Sequence, residues 1–177
     1  MNSWWFGYAD QNDYRVTSVP SFGDTVRNFT EQRVLRMVDD LIAKPIDGLA
    51  IDSGRVFVTG HSMGATGALA YALRYPQVFA ASYASQPMTK PSTAGDAGGT
   101  LWEDSLSELW GEVSDALPYK ADADQPYQAP LLDFDSTPAW NWQDHLATLS
   151  VRSSRERVPL GVDHGVDDTI IEWPTQG

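Results

Sequence analysis

One serine in this chain stands where a serine can do chemistry. Arg55-Val56-Phe57-Val58-Thr59 is a β-branched run, Gly60-His61-Ser62-Met63-Gly64 is a Gly-x-Ser-x-Gly turn, and an alanine-rich segment follows to Arg74-Tyr75-Pro76. The order is strand, sharp corner, helix. A serine held at such a corner must adopt a strained backbone conformation, and its neighbours two positions away need almost no side-chain volume, which Gly60 and Gly64 are expected to provide. The hydroxyl then stands clear of the sheet edge. The N–H groups that open the following helix point at any oxygen that becomes negative beside it, and Met63 N–H is the donor expected there. Ala65, Gly67, Ala68 and Ala70 predict a slim helix lying close against the sheet. The chemistry implied is nucleophilic attack by Ser62 on an acyl carbon.

Such a serine needs a base and an acid to orient it, and the candidates are few. The acidic candidates lie together in Asp163-His164-Gly165-Val166-Asp167-Asp168, a strand end followed by an acidic turn. Of the three histidines, His61 sits inside the corner, where its side chain points away from that of Ser62 and a packing or rim role is expected. His164 ends a strand and is expected to pack or hydrogen-bond locally. His145 lies beside Trp142 on a later helix and reaches Ser62 only if that segment folds over the corner. A metal reading of Asp163, His164, Asp167 and Asp168 is disfavoured, because an acid turn after a strand accounts for the cluster and the spaced ligand set of a metal site is absent. No cofactor is implied.

The elements that must position these groups follow a parallel-sheet rhythm. Val34, Leu35, Val38, Leu41 and Ile42 recur at helical spacing between Thr30 and Lys44, opposite Arg33, Arg36, Asp39 and Asp40, and predict an amphipathic helix. Pro45 and Gly48 end it. After the serine helix, Val78 to Ser85 is a largely apolar run suited to a strand buried on both faces. The rhythm then breaks until Val158-Pro159-Leu160-Gly161-Val162-Asp163. Within the interruption Pro87 to Thr100 reads as loop, Leu101 to Trp110 as a helix closed by Gly111, and a Pro- and Asp-rich stretch runs to Asp135. Thr137 is read as an N-cap, with Pro138 at the first position of a helix carrying Trp142, Leu146 and Leu149 on one stripe. Residues 1 to 28 are aromatic and turn-rich, without a helical or strand period. A loop so rich in rings is expected against its own domain or at a site rim.

Composition sets the outer limits. At 177 residues the chain suits one domain with a substantial core. Its 24 acidic and 12 basic side chains give a net charge of −12, which argues against nucleic acid or an anionic membrane surface as partner. No apolar run approaches the roughly 18 residues of a membrane span. Without cysteine, disulfides, thiolate metal sites and cysteine catalysis are excluded. Nothing in the sequence indicates a compartment, and the Asn28-Phe29-Thr30 sequon carries no weight.

Gly60-His61-Ser62-Met63-Gly64, the preceding Ile51-Asp52-x-x-Arg55-Val56-Phe57-Val58-Thr59, the closing His164-Gly165-x-x-Asp168-x-x-Ile171 and the opening Trp4-Trp5-Phe6-Gly7-Tyr8 together resemble the α/β-hydrolase superfamily. The nearest branch is similar to the polyhydroxybutyrate-depolymerase-like esterases and prolyl-oligopeptidase-type serine hydrolases. The resemblance implies an α/β fold, a parallel sheet with crossover helices, in a single domain over 1–177 with 88–157 as a lid-like helical and loop insert. It implies Ser62 as nucleophile, Met63 in the oxyanion hole and Asp168 as the acid, with Asp167 and Asp163 as fallbacks. The small-molecule substrate is then an ester or a peptide. In that superfamily the histidine follows the acid by a helix and a strand, roughly 20 residues, so its position falls beyond Gly177. Strands that precede the opening loop are likewise not evident. The resemblance therefore implies a partial hydrolase with three parallel strands, poor catalysis on its own, and self-association through exposed sheet edges. A reading of another class is a non-catalytic module recognising a ligand through Trp102, Trp110, Trp140 and Trp142, against which helical spacing favours those rings as core.

Overall fold

The computed structural model describes residues 3–11, 13, 18–20, 22–95, 98–120, 137–151 and 157–176. Most of the Pro- and Asp-rich stretch lies outside these residues. Two short strands, β1 (Tyr8–Ala9) and β2 (Val26–Arg27), pair antiparallel near the start. Two residues apiece are too few to show a period, which is why the sequence reads there as loop. Helix α1 spans Phe29–Ala43, and its first turn is closed by the Phe6 carbonyl, which accepts the N–H groups of Thr30 and Glu31.

Strand β3 (Phe57–His61) and helix α2 (Met63–Arg74) follow, then strand β4 (Ala81–Ser85). Helix α3 covers Glu103–Trp110 and ends at Gly111, whose φ of 74° explains a glycine there. The helix predicted to open at Thr137 is two helices, α4 (Ala139–Trp142) and α5 (His145–Val151). Pro138 is the cap residue of α4, so the helix starts one position later than expected. Asp144 restarts the chain by accepting the Ala147 N–H at 2.9 Å, which turns Leu146 outward to 55 % exposure. Strand β5 (Leu160–Asp163) and a short α6 (Trp173–Gln176) complete the chain's described elements.

Strands β3, β4 and β5 form a parallel sheet in that order. Helix α2 covers one face, where Ala65, Leu69 and Leu73 pack on Ala84 and the Ser82 hydroxyl donates to the Ala68 carbonyl. The other face carries Phe57 and Tyr83, 66 % and 54 % exposed. The run from Val78 is therefore buried on one face only, and its first residues belong to a turn in which Val78 and Phe79 N–H bond back to the Tyr75 carbonyl.

The main core gathers the opening loop, α1, α3 and α4. Phe6, Trp110 and Trp140 meet edge to face, and Tyr119 stacks on Trp142. Trp110 and Trp140 donate their indole N–H to the carbonyls of Gly7 and Gly111, so these rings are core and not a recognition surface. Through this core runs a buried ion pair. Arg74 donates to Glu31 at 2.6 Å and to the Trp142 carbonyl at 2.8 Å, while Tyr75 and Asn28 donate to the second Glu31 oxygen. The guanidinium also lies over the Trp142 ring at 4.6 Å. Burial, then the Glu31 charge, pushes the Tyr75 phenol well above its ordinary value. Asn28 is 1 % exposed, which closes its sequon to modification. Leu35 fills the core as predicted, but Leu41 on the same stripe of α1 is 46 % exposed.

Candidate active site

Parallel strands deliver their carboxyl ends to one edge, and the register here fixes which residues arrive together. His61 lies opposite Ser85, and Ser85 opposite Asp163. The next residues, Ser62, Gln86 and His164, leave the sheet at the same edge, where open α/β sheets bind ligands. This row has a structural clasp: Ser62 N–H donates to the Ser85 carbonyl at 2.9 Å, and Gln86 N–H to the Asp163 carbonyl at 2.7 Å.

Ser62 sits at φ 56°, ψ −124°, a region costing a non-glycine residue on the order of 1–3 kcal/mol. The surroundings hold it there. The Ser62 carbonyl accepts from Ala65 and Thr66 N–H, which starts α2 directly after the corner. A Cβ on Gly60 would fall 2.1 Å from the Gly64 carbonyl oxygen, so only glycine fits. Gly64 differs from expectation, since a Cβ there would meet nothing within 4 Å. The close approach is made by its backbone against Gly60, not by its missing side chain. Met63 is the first residue of α2, so its N–H is one of the donors that a helix leaves without an internal acceptor. Gly67 faces Trp5, whose ring atoms lie within 2.8 Å of where a Cβ would be. Its smallness accommodates the opening loop rather than the sheet.

Asp168 lies on the turn after β5. Its Oδ1 accepts Ile170 N–H at 2.8 Å and Ile171 N–H at 3.1 Å, and its Oδ2 is 3.7 Å from His164 Nε2. Desolvation works to raise this carboxyl, but the two backbone N–H groups, then His164 and His61, outweigh it and hold the pKa below the ordinary value. Two strand spacings, about 10 Å, separate the outer strands β3 and β5.

The fallback acids are differently engaged. Asp163 accepts the Ser85 hydroxyl at 3.2 Å and also the Tyr83 phenol, whose pKa rises through that bond first and the carboxylate charge second. Ser85, Tyr83 and Gln86 were not singled out by sequence, which offers no local signal for them. His61, Ser85 and Asp163 form a row of the right residue types in the wrong order, with the serine hydroxyl donating to the acid. Asp167 is exposed.

The histidines fall as follows. His164 Nε2 lies 2.6 Å from the Ile171 carbonyl, so that nitrogen carries a proton and is spent locally. His145 is 1 % exposed, and burial first, the Arg74 charge second, push its pKa down to about 3 against a weaker opposing effect of the Thr66 backbone. His61 is exposed at the end of β3, facing the Ser85 row. Among the described residues, no group of His, Asp and Glu could hold a metal ion, and no helix is long and apolar enough to cross a membrane.

No curated protein matches the chain. Residues 3–177 match the family model "Esterase", described as "Putative esterase". With a parallel sheet packed by helices and a serine corner at its carboxyl edge, the chain belongs to this α/β-hydrolase esterase family.

Proposed function

We propose that the chain carries the nucleophile, one oxyanion donor and the acid of a carboxylic ester hydrolase. Ser62 Oγ attacks the ester carbonyl carbon, the carbonyl π electrons move onto oxygen, and the Met63 N–H stabilises that oxyanion. A general base takes the Ser62 proton and returns it to the departing alkoxide, so that collapse breaks the ester C–O bond, releases the alcohol and leaves an acyl-Ser62 ester, which water then hydrolyses. Asp168 orients the general base and stabilises its protonated form. The observation that carries this reading is the strained Ser62 conformation at the head of α2. In this reading residues 88–157 are a lid-like insert of the same domain.

None of the three histidines of the chain is assigned the base. His164 spends Nε2 on Ile171, His145 is buried and neutral, and His61, exposed at the end of β3, makes no hydrogen bond to Ser62 among the described residues. Turnover by this chain should therefore be slow, with a loss of about 10⁴ to 10⁶ relative to a complete triad. Self-association follows if the outer edges of β3 and β5 find each other, and size-exclusion chromatography reads it directly.

The test is hydrolysis of p-nitrophenyl butyrate, corrected for the Ser62→Ala rate. His61→Gln, His145→Gln and His164→Gln should each leave the Ser62-dependent rate within about threefold. A fall of about 10⁴-fold in one of them, with the fold intact by circular dichroism, identifies that histidine as the base and overturns the assignment. No Ser62-dependent rate under any condition favours a non-catalytic module.

A further inference from the structure

Beside β5, on the face of the sheet that α2 covers, lies a cavity of about 500 Å³. That is within the roughly 300–1,000 Å³ range of small-molecule sites. Leu69 and Leu73 of α2, Leu149 of α5 and Leu160 of β5 supply aliphatic wall, and Ser62 is not part of the lining. Two imidazoles, His145 and His164, line the same cavity.

Both imidazoles are enclosed, the His145 residue 1 % exposed and the His164 side chain 3 %. The Thr66 backbone acts weakly on His145, but among the described residues neither ring nitrogen of His145 makes a hydrogen bond of good geometry, and neither does Nδ1 of His164. Buried polar atoms without partners are costly, about 1–3 kcal/mol each, and native structures rarely keep them. Their capacities are definite. His164 donates Nε2–H to the Ile171 carbonyl, so in its neutral tautomer Nδ1 is an acceptor. His145 is neutral and offers one donor and one acceptor, whichever tautomer it adopts. Asp163 also lines the cavity, and with the net charge of −12 it disfavours an anionic occupant.

We propose that this cavity binds a neutral aliphatic alcohol, its chain against the leucines and its hydroxyl exchanging hydrogen bonds with the unpartnered imidazole nitrogens. A hydroxyl suits the site because it donates and accepts at once, whereas an alkane leaves the nitrogens bare and a carboxylate brings no donor and a charge to bury. Ser62 does not line this site, which meets the ester machinery only at His164, 3.7 Å from Asp168.

With three histidines in the chain, imidazole ¹⁵N and ¹H resonances of histidine-labelled protein report on it directly, using 1-octanol as the probe. Octanol should shift the His145 and His164 signals saturably and leave His61 in place. Octanoate and n-octane should each bind at least ~10-fold more weakly, about 1.4 kcal/mol. Leu146→Glu, an exposed position at the cavity mouth, should cut octanol affinity by a similar factor, and Ser62→Ala should leave it unchanged. The proposal fails if octanol gives no saturable shift, or if octane matches octanol. It fails equally if Leu146→Glu has no effect, or if Ser62→Ala abolishes binding, which would locate the alcohol at the serine corner.

Discussion

Two carboxylates, Glu31 and Asp168, show how differently this fold uses one functional group. Glu31 is 0 % exposed, and both its oxygens are taken by Arg74, Tyr75 and Asn28. Asp168 commits one oxygen to its own turn and leaves the other beside His164, at the edge where Ser62 leaves the sheet. The first joins α1 to α2 and, through Arg74, to α4. The second fixes only a short turn. Groups built for stability use up their hydrogen-bonding capacity, while groups available for chemistry keep some in reserve.

Removing one side of the buried pair should give the largest effect. Arg74→Met leaves Glu31 buried without its cation, and an expected loss of about 3–5 kcal/mol should appear in urea unfolding. The chemistry of the folded fraction should survive, since the described Arg74 bonds go to Glu31 and the Trp142 carbonyl and not to the serine corner. Loss of serine reactivity without loss of stability would break the contrast.

His145 sharpens it from the acid side. Its pKa is depressed to about 3 from an ordinary value near 6.5, so between those pH values the unfolded chain binds a proton that the folded chain refuses. Stability therefore falls as pH drops through that window, by up to ~1.4 kcal/mol per pH unit. His145→Leu should flatten this limb in thermal unfolding from pH 6.5 to 4 and be close to neutral at pH 7. An unchanged acid limb would mean that His145 is hydrated.

At the serine corner, Gly60→Ala drives a methyl group into the Gly64 carbonyl. A cost of about 1–3 kcal/mol is expected, together with loss of serine reactivity. Gly64→Ala, where a Cβ meets open space, should be much milder. Equal effects from the two would show that the corner is not shaped as described.

The smallest change is expected at Asp168. Asp168→Asn keeps an acceptor for Ile170 and Ile171, so stability at pH 7 should change by less than ~1 kcal/mol. Because the folded pKa is lowered, the stability that Asp168 contributes is present above its unfolded value near 4 and is lost as pH falls through the folded value. The variant should lack that component. A loss of several kcal/mol at pH 7 would make Asp168 a structural group like Glu31.

Local pattern made the parallel strands, α1, α3 and the serine corner legible, because each rests on neighbours in sequence: the β-branched run before Gly60, the stripe through Leu35, the glycine at 111. Long-range pairing hid the rest. Nothing near Glu31 marks it as buried, since its partners Arg74 and Tyr75 are more than forty positions away. The one-sided burial of β4 depends on what covers Tyr83, not on its own residues. The break between α4 and α5 turns on Asp144 preferring to cap a new helix over continuing the old one. At the site, the corner was readable from Gly60 and Ser62. The engagement of Asp163 by Ser85 and Tyr83 emerged only from strand register.

The most direct test of the serine assignment is peptide mapping by mass spectrometry after exposure to a fluorophosphonate. An adduct should form on Ser62 at least ~100-fold faster than on any other serine, the scale of one oxyanion donor. It should disappear in denaturant and in Ser62→Ala. Modification spread evenly over the serines, or unchanged by unfolding, would contradict it.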